Sequence, residues 1–425
     1  MKRHIVGLAA VVAVSATTVF AVSATAAEKD TILIGISAAK TGILAPYDLQ
    51  AGQLFQMRID QINKAGGVLG KQIAVRWIDT KSDKPTAATN ARELISKGAK
   101  VIIATCDFDF SYPAIQAAGA LKVPGLALCA SSPKVATPAI VGQYGGSFGL
   151  GSDTEGTAMA EWMRAQKPSL KRAWIVKDLS LEYSKATADY FKARWTQLGG
   201  TVCGQDSFTA GDNLDLSSNV TRLRGAVKKC DVIYDGSWNP FGALYVRAVR
   251  DAGIKTPIAT NASVNGLPVV QNNPGLNDFY ALGFACLNTY CSGSKNPAVA
   301  RVNAQFKARY GQPIGNHYAL PGYMLADAVV AAIKKANSTD GTKIASALFD
   351  SGLVINTFAG KMAFTSKCHR PQPAIFTVER YTNGKAKQIG TVSVKKVPNI
   401  GDGSPCSGVP PTVKSQPRKR ATGDR

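Results

Sequence analysis

The segment Ile32–Asp79 constrains the fold of this chain more than any other part of the sequence. Its opening apolar run, Ile32–Ile36, predicts one buried strand. Apolar residues then recur at helical spacing between 54 and 62, and Ile73–Asp79 supplies a second strand. A strand, a helix and a strand of these lengths predict a parallel crossover, in which ligands bind at the carboxyl ends of strands. The loop Ala38–Tyr47 is therefore the first candidate for a binding site.

Strand and helix patterns alternate along the rest of the chain in two sets. The first set extends from Lys84 to Cys129 and the second from Thr154 to Ala285. Between them, the glycine-rich segment Val141–Gly151 lacks periodicity, which predicts a crossing between two lobes. Amphipathic helices after Pro297 are expected to complete the first lobe, and the Asn383-Gly384 turn predicts a hairpin. The sequence thus predicts an α/β fold of two Rossmann-like lobes with parallel central sheets, joined by a multi-strand hinge.

The order of these patterns also predicts the domain boundaries. We expect a signal peptide at 1–26, a first lobe formed by 28–147 and 288–355, a second lobe formed by 148–287 and 356–398, and a basic Gly/Pro-rich tail at 399–425. The signal has two N-terminal basic residues, an apolar stretch and an Ala24-Thr25-Ala26 cleavage pattern. A membrane anchor is the alternative, but polar residues interrupt the apolar stretch. We therefore expect a secreted monomer located in the periplasm or outside the cell.

The eight cysteines suit an oxidising compartment. Cys106 and Cys129 end neighbouring predicted strands, and neighbouring strands lie about 5 Å apart, within reach of a disulfide. We predict four disulfides between cysteines that follow one another in sequence: Cys106–Cys129, Cys203–Cys230, Cys286–Cys291 and Cys368–Cys406. A zinc site is the alternative, but the sequence has no C-x2-C pair, so we predict no metal site.

The chain is strongly basic, with a formal net charge of +22. Binding to nucleic acid is one interpretation of such a charge. The basic residues are scattered along the sequence, however, and the chain is predicted to be exported. We therefore interpret the charge as that of an exported protein that faces an anionic envelope, and we expect no nucleic-acid partner.

One catalytic motif matches literally, because Gly145–Gly149 reads G-x-S-x-G and would make Ser147 the nucleophile of a serine hydrolase. His317 or His369 would then serve as the base. A nucleophile elbow needs an apolar strand directly before the serine and a helix directly after it, and the sequence has neither. The histidines also lack the H-E-x-x-H spacing of a metal-binding helix. We predict that the protein is not an enzyme and has no catalytic residue or cofactor.

The motifs and their order resemble the leucine/isoleucine/valine-binding family of type I periplasmic binding proteins, which serve ABC importers. The motifs that carry the resemblance are Ser37–Gly42, Asp60–Gly70, Asp79 followed by Pro85 and Ala88, Val101–Thr105, Pro113-Ala114 and Val123-Pro124. The resemblance extends from Ile32 to Val394. It implies that a small molecule binds between the lobes, that the hinge closes on it, and that an ABC permease in the membrane recognises the closed form. A ligand-sensing module of a receptor is the alternative.

The resemblance also implies the residues of the site. The ligand-binding residues that it implies are Tyr47, Asp107, Phe108, Ser131, Ser132, Tyr183, Trp238 and Asn261. All of them follow the carboxyl ends of predicted strands, which is where such a fold binds its ligand. Helices predicted to begin after Ser111 and Ser132 would attract an anion such as the carboxylate of the ligand.

The sequence departs from the family at the position of Asn261. Members that bind amino acids carry an acidic residue there, after the strand represented by Ile258–Thr260, and it holds the ammonium group of the ligand. In this chain Asp107, Asp109 or Asp235 would have to supply that charge. The aromatic residues around Asp109 alternatively suit an aromatic or amphiphilic acid. The expected ligand is therefore a small carboxylate-bearing solute: an amino acid, an amide, or an aromatic or amphiphilic acid.

Overall fold

The computed structural model describes residues 31–294, 296–358, 360–394, 396–404 and 406. The predicted signal peptide at 1–26 and the tail from 407 onward lie outside the described residues. In the described ranges, no helix combines the length and the apolar composition that crossing a bilayer requires.

Strands and helices alternate along most of the described chain. The strands are β1 Ile32–Ala38, β2 Ile73–Asp79, β3 Val101–Ala104, β4 Gly125–Ala127, β5 Gly145–Ser147, β6 Arg172–Asp178, β7 Thr201–Phe208, β8 Val232–Gly236, β9 Ile258–Thr260, β10 Phe279–Gly283, β11 Cys291–Ser292, β12 Val354–Thr357, β13 Gly360–Thr365, β14 Cys368–Gln372, β15 Ile375–Thr382 and β16 Lys385–Ser393. The α-helices are α1 Ala45–Lys64, α2 Lys84–Ser96, α3 Phe108–Ala120, α4 Pro138–Val141, α5 Ser152–Gln166, α6 Glu182–Gln197, α7 Ser217–Ala226, α8 Phe241–Asp251, α9 Leu267–Asn272, α10 Pro297–Tyr310, α11 Leu320–Ala336 and α12 Gly341–Phe349.

The first lobe is built on a five-stranded parallel sheet with the order β2-β1-β3-β4-β5. The crossover predicted from Ile32–Asp79 is confirmed, since β1 pairs with β2 in parallel through Ile36 and Trp77. The predicted crossing, Val141–Gly151, is longer than the one in the structure. Its residues Gly145–Ser147 form β5, because they pair with β4 and extend the sheet by one strand. Of the predicted crossing, only the residues between β5 and α5 join the two sheets.

The second lobe is built on an eight-stranded sheet with the order β11-β16-β15-β10-β9-β8-β6-β7. Strands β7, β6, β8, β9 and β10 are parallel, whereas β15 runs antiparallel to both β10 and β16. The predicted hairpin at Asn383-Gly384 is confirmed, and both turn residues adopt positive φ, as this kind of tight turn requires. The fold is the predicted α/β architecture of two lobes.

A three-stranded antiparallel sheet, β12-β13-β14, was not predicted from the sequence. Its residues Ile355 and Phe364 belong to the same hydrophobic core as the first sheet and the helices α10 to α12. The predicted lobe boundaries stay a prediction, and we propose that residues 354–372 belong with the first lobe because of this packing.

All four predicted disulfides are present in the structure. They join Cys106 to Cys129, Cys203 to Cys230, Cys286 to Cys291, and Cys368 to Cys406. The first lies at the carboxyl ends of the paired strands β3 and β4, as the spacing of parallel strands predicts.

Helix α3 begins earlier than the sequence predicts. The prediction placed its start after Ser111, whereas the helix begins at Phe108 and contains Pro113. Asp107 provides the N-cap, and its side chain accepts a hydrogen bond from the N–H of Asp109 at 2.9 Å. The cap stabilises the early start and places the first turn of α3 beside the carboxyl end of β3.

Candidate ligand-binding cleft

A small cavity of about 30 Å³ lies where the carboxyl ends of the parallel strands of the two sheets face each other. It is lined by Leu44, Tyr47, Cys106, Asp107, Cys129, Ser131, Leu181, Tyr183, Trp238, Ser263 and Tyr318. No lysine, arginine or histidine is among these residues. The wall is mostly aromatic, and the Cys106–Cys129 disulfide forms part of it. This composition suits a small, partly apolar molecule with few polar groups.

The hydroxyl group of Tyr47 joins the lobes across this cavity. Tyr47 lies in the first turn of α1, in the first lobe, and donates to the carbonyl oxygen of Asn239 at 2.9 Å. Its oxygen also lies 2.8 Å from Oγ of Ser263. Because Asn239 and Ser263 follow the second-lobe strands β8 and β9, both hydrogen bonds cross the cleft. They require the two lobes to be closed on each other.

Two further contacts hold the lobes together at the rim of the cavity. The N–H of Glu182, at the start of α6, donates to Oδ2 of Asp109 in α3 at 3.0 Å. The carboxylate of Glu182 also forms an ion pair of 2.8 Å with Lys134 of the first lobe. The carboxylate of Asp109 is therefore bound to the opposite lobe, and Asp109 is not among the residues that line the cavity.

Asp107 is the acidic residue that lines the cavity. Its side chain is 6% exposed, and one of its oxygens caps α3. Burial, followed by the negative charge of nearby Asp109, raises the pKa of Asp107 to about 8. The raised pKa favours the protonated carboxyl group and so lessens the negative charge beside the first turn of α3.

Asp48 supports this part of the cavity from behind. Its oxygens accept from the N–H of Ala39 at 2.8 Å and from the N–H of Cys106 at 2.7 Å. These two bonds fix the loops that follow β1 and β3, which carry Tyr47 and Asp107. Burial raises the pKa of Asp48 to about 7.

A second carboxylate, Glu155 of α5, lies behind the aromatic wall and is fully buried. Tyr183 donates to its Oε2 at 2.6 Å, and Tyr318 donates to its Oε1 at 3.2 Å. The N–H of Ala262 donates to Oε2 at 3.0 Å. Burial raises the pKa of Glu155 to about 7. Glu155 thus links two wall tyrosines from different parts of the chain to the loop that follows β9.

The structure brings together five of the eight residues that the sequence predicts for the site, and all five line the cavity. These are Tyr47, Asp107, Ser131, Tyr183 and Trp238. Phe108 and Ser132 do not line it: Phe108 stacks against Tyr112, and Ser132 caps the short 3-10 helix Pro133–Ala136. Their assignment as ligand-binding residues stays a prediction.

Asn261 also lies away from the cavity lining and is fully buried. Its amide nitrogen donates to the carbonyl oxygen of Ser237 at 2.7 Å, and its oxygen accepts from the N–H groups of Ser263 and Val264. Asn261 therefore shapes the loop after β9, and that loop presents Ser263 to the cavity. Asp235, another candidate for the ammonium charge, is also fully buried outside the lining.

Sequence analysis missed Tyr318, Ser263 and Glu155. Glu155 carried a usable signal, because Met159 and Trp162 follow it at helical spacing on the inward face of α5, which places an acid in a buried stripe. Tyr318 and Ser263 have no comparable signal, since their role depends on loops that only the tertiary fold brings to the cavity.

The G-x-S-x-G match has a structural explanation. Ser147 is fully buried in β5, and its hydroxyl donates to the carbonyl oxygen of Ala130 at 2.6 Å. His369 stacks on Phe349 and contacts the carbonyl oxygen of Gly145, whereas His317 contacts that of Ala262. The serine is thus part of the sheet and is not paired with a base.

A family model described as periplasmic binding protein matches residues 31–385. The Leu/Ile/Val-binding protein BraC3 of Rhizobium johnstonii is 25% identical over 337 residues, which cover 78% of this chain and 87% of that protein. Among solved structures, the branched-chain amino acid transporter substrate-binding protein LivJ of Streptococcus pneumoniae, in complex with isoleucine, has a TM-score of 0.72 at 22% identity and covers 86% of this chain and 99% of its own.

A solute-binding protein of an ABC transporter from R. palustris, in complex with benzoate, has a TM-score of 0.71 at 17% identity, and the match covers 86% of this chain and 97% of that one. The family model spans most of the sequence and both lobes of the fold. This chain therefore belongs to the periplasmic binding protein family, and its fold is that of the type I members.

Proposed function

We propose that this protein is the extracytoplasmic substrate-binding protein of an ABC importer, and that it captures a small carboxylate-bearing solute by hinge closure. The observation that carries the proposal is the hydroxyl of Tyr47, which bonds Asn239 and Ser263 across the cavity. Such bonds form only when the lobes meet. A ligand that contacts both walls would therefore shift the equilibrium toward the closed form.

The part of the cavity wall that belongs to the first lobe favours a ligand that carries a carboxylate. The cavity lies beside the first turn of α3, where helix N–H groups favour an anion. A charged Asp107 would oppose an anion at this place. Because burial raises the pKa of Asp107, its protonated form is favoured, and that form offers a hydrogen-bond donor instead.

Two similar proteins, each solved with a different ligand, support the same class of ligand. The similar protein of Streptococcus pneumoniae binds isoleucine, and the similar protein of R. palustris binds benzoate. Both ligands carry a carboxylate. We propose that the ligand of this protein is an amino acid, an amide, or an aromatic or amphiphilic acid, as its aromatic wall suggests.

The first test is a thermal-shift screen of the mature protein against amino acids, amides and aromatic carboxylic acids. A ligand at a hundred times its dissociation constant stabilises a protein by about 2.7 kcal/mol, which shifts the melting temperature measurably. We expect at least one of these classes to shift it. A screen in which no small carboxylate or amide raises the melting temperature would contradict the proposed ligand class.

Substitution of a cavity tryptophan then tests the site. Trp238→Ala removes a wall of the cavity, whereas Trp162→Ala removes a similarly buried tryptophan that packs on Tyr280 away from the cavity. We expect both variants to lose stability and only Trp238→Ala to lose the ligand. Equal loss of binding in both variants would argue against this cavity.

Import itself needs a separate experiment, because a receptor module could use the same cleft. In vesicles that contain the cognate permease and ATPase, we expect uptake of the ligand to depend on this protein. Binding without uptake would favour the alternative of a ligand-sensing module.

A further inference from the structure

The edge of the second-lobe sheet that lies opposite the cleft carries a row of lysines. Strands β6, β8, β9 and β10 are parallel, so the residues that precede them share one edge of the sheet. The turn between β15 and β16 joins the same edge, because Phe279 at the start of β10 pairs with Tyr381 near the end of β15. We call this edge the basic edge after its five exposed lysines: Lys171, Lys228, Lys229, Lys255 and Lys385.

Hydrogen bonds between neighbouring loops show that the basic edge is one continuous surface. Arg224 of α7 donates to the carbonyl oxygen of Ala252 at 3.3 Å, which connects the segment before β8 to the loop before β9. Arg250 donates to the carbonyl oxygen of Asn277 at 3.1 Å, and Asn277 donates to Oδ1 of Asn383 at 3.2 Å. The lysines therefore lie along six adjacent strands, from β6 to β16, a width of about 24 Å at the usual strand spacing.

The acidic residues of this edge are already paired with arginines. The ion pairs are Asp231–Arg172 at 2.7 Å, Asp278–Arg380 at 2.6 Å and Asp251–Arg247 at 3.6 Å. Within the part of the chain that the structure describes, no lysine of the basic edge forms an ion pair. Their positive charges therefore remain open to an anionic partner.

Acidic residues gather at the opposite edge of the same lobe, beside the cleft. These residues follow or end the parallel strands: Asp178, Glu182, Asp212, Asp215 and Asp235. The lysines on this side are paired, Lys177 with Asp189 and Lys185 with Glu182. The charge of the lobe is thus separated along the strand direction. An anionic surface would attract the basic edge and leave the cleft facing away from it.

The chemistry of the basic edge favours a phospholipid surface over other polyanions. Proteins that bind single-stranded nucleic acid stack its bases on aromatic side chains, whereas the exposed large hydrophobic side chains of the described residues are all aliphatic. Lysine is a compact, strongly hydrated charge, and membranes with anionic lipids attract such charges without specific contacts. A broad row of lysines matches a flat array of phosphate headgroups.

We propose that the basic edge docks the protein on a membrane surface of anionic phospholipid. The inference goes beyond the proposed function, since it concerns a surface remote from the cleft and requires no solute. Docking would concentrate the protein at the membrane that contains its permease, while the cleft stays open to solution. Each lysine near an anionic surface strengthens binding about fivefold, so three of them contribute about a hundredfold.

Sedimentation with vesicles tests the proposal on the full mature protein. The vesicles contain equal parts of phosphatidylglycerol and phosphatidylcholine, or phosphatidylcholine alone. We expect binding to the anionic vesicles alone at about 0.1 M salt, and release at about 1 M, where charges act over only about 3 Å. Replacing three edge lysines by glutamine should weaken binding about a hundredfold; these are Lys228, Lys229 and Lys255.

The matched control removes the same charge from exposed lysines outside the second sheet. It replaces Lys307 of α10, Lys361 of β13 and Lys367 of the turn that follows β13 by glutamine. The basic tail is present in both variants and contributes equally. We expect the control to weaken vesicle binding less than one tenth as much as the edge variant. An equal loss in both variants would assign the binding to net charge and overturn the proposal, as would equal binding to neutral vesicles.

Two further measurements locate the contact and identify the partner. Acetylation of lysines on vesicle-bound protein, read by mass spectrometry, should be slowed at Lys228, Lys229 and Lys255 and unchanged at Lys307 and Lys361. Equal modification of both groups would contradict docking through the basic edge. If the edge variant loses affinity for a DNA duplex but keeps its affinity for the anionic vesicles, the partner is nucleic acid and the assignment to lipid is wrong.

Discussion

Replacing Tyr47 by phenylalanine removes a single hydroxyl group that joins the lobes across the cavity. The aromatic ring and its packing against Trp238 and Tyr318 remain. In the closed form the hydroxyl bonds both Asn239 and Ser263, and in any open form the separation of the lobes breaks these bonds. The variant should therefore destabilise the closed form and leave each lobe as stable as before.

The magnitude follows from these two bonds. A hydrogen bond contributes about 0.5–1.5 kcal/mol net, and the buried carbonyl of Asn239 would lose its partner as well. The closed form should thus lose about 1–3 kcal/mol relative to the open form. Because a ligand that bridges the lobes binds to the closed form, its dissociation constant should rise about 5- to 150-fold.

Calorimetry with the ligand found by the screen measures this change. Tyr112→Phe is the matched control, because Tyr112 donates to the carbonyl oxygen of Ile140 at 3.3 Å within the first lobe. We expect the control to bind ligand like the wild-type protein. An affinity of Tyr47→Phe within twofold of the wild type, or an equal loss in Tyr112→Phe, would refute the view that the Tyr47 hydroxyl closes the cleft.

Three further predictions concern stability and are measured by urea unfolding. Burial raises the pKa of Glu379 from 4.5 to about 8, so the folded state binds its proton more tightly and the free energy of unfolding falls as the pH rises through that interval. Glu379→Gln should therefore gain about 5 kcal/mol over the wild type at pH 9 and nothing at pH 4. Asp153 and Arg370 form a fully buried ion pair of 2.6 Å, so Asp153→Ala should lose about 3–5 kcal/mol, and a second change, Arg370→Met, should restore most of it. Replacing both Cys106 and Cys129 by serine removes a cross-link between cysteines 23 residues apart and should lower the free energy of unfolding by about 3 kcal/mol. For each of the three changes, an unchanged urea midpoint would contradict the corresponding reasoning.

The predicted start of α3 shows why local signals fail at the edge of the site. Pro113 indicates the first turn of a helix, because proline has no N–H group and needs no partner for one there. In the structure the cap of Asp107 outweighs that preference, and the helix begins at Phe108 instead. Asp107, which the resemblance had already assigned to the site, lines the cavity as the N-cap residue of α3.

The sequence by itself determined the two-lobed α/β fold, the cysteine pairs and five of the eleven residues that line the cavity. The fold follows from short-range periodicity. Tyr47 and Trp238 came from the resemblance to a known family, which agrees with the rule that parallel strands present their carboxyl ends at one edge. Only the tertiary structure decided which polar groups meet at the site. Glu155 meets Tyr318, 163 residues further along the chain, and accepts a hydrogen bond from its hydroxyl. Such a bond depends on which donor meets which acceptor after folding, and no local pattern of residues encodes that encounter.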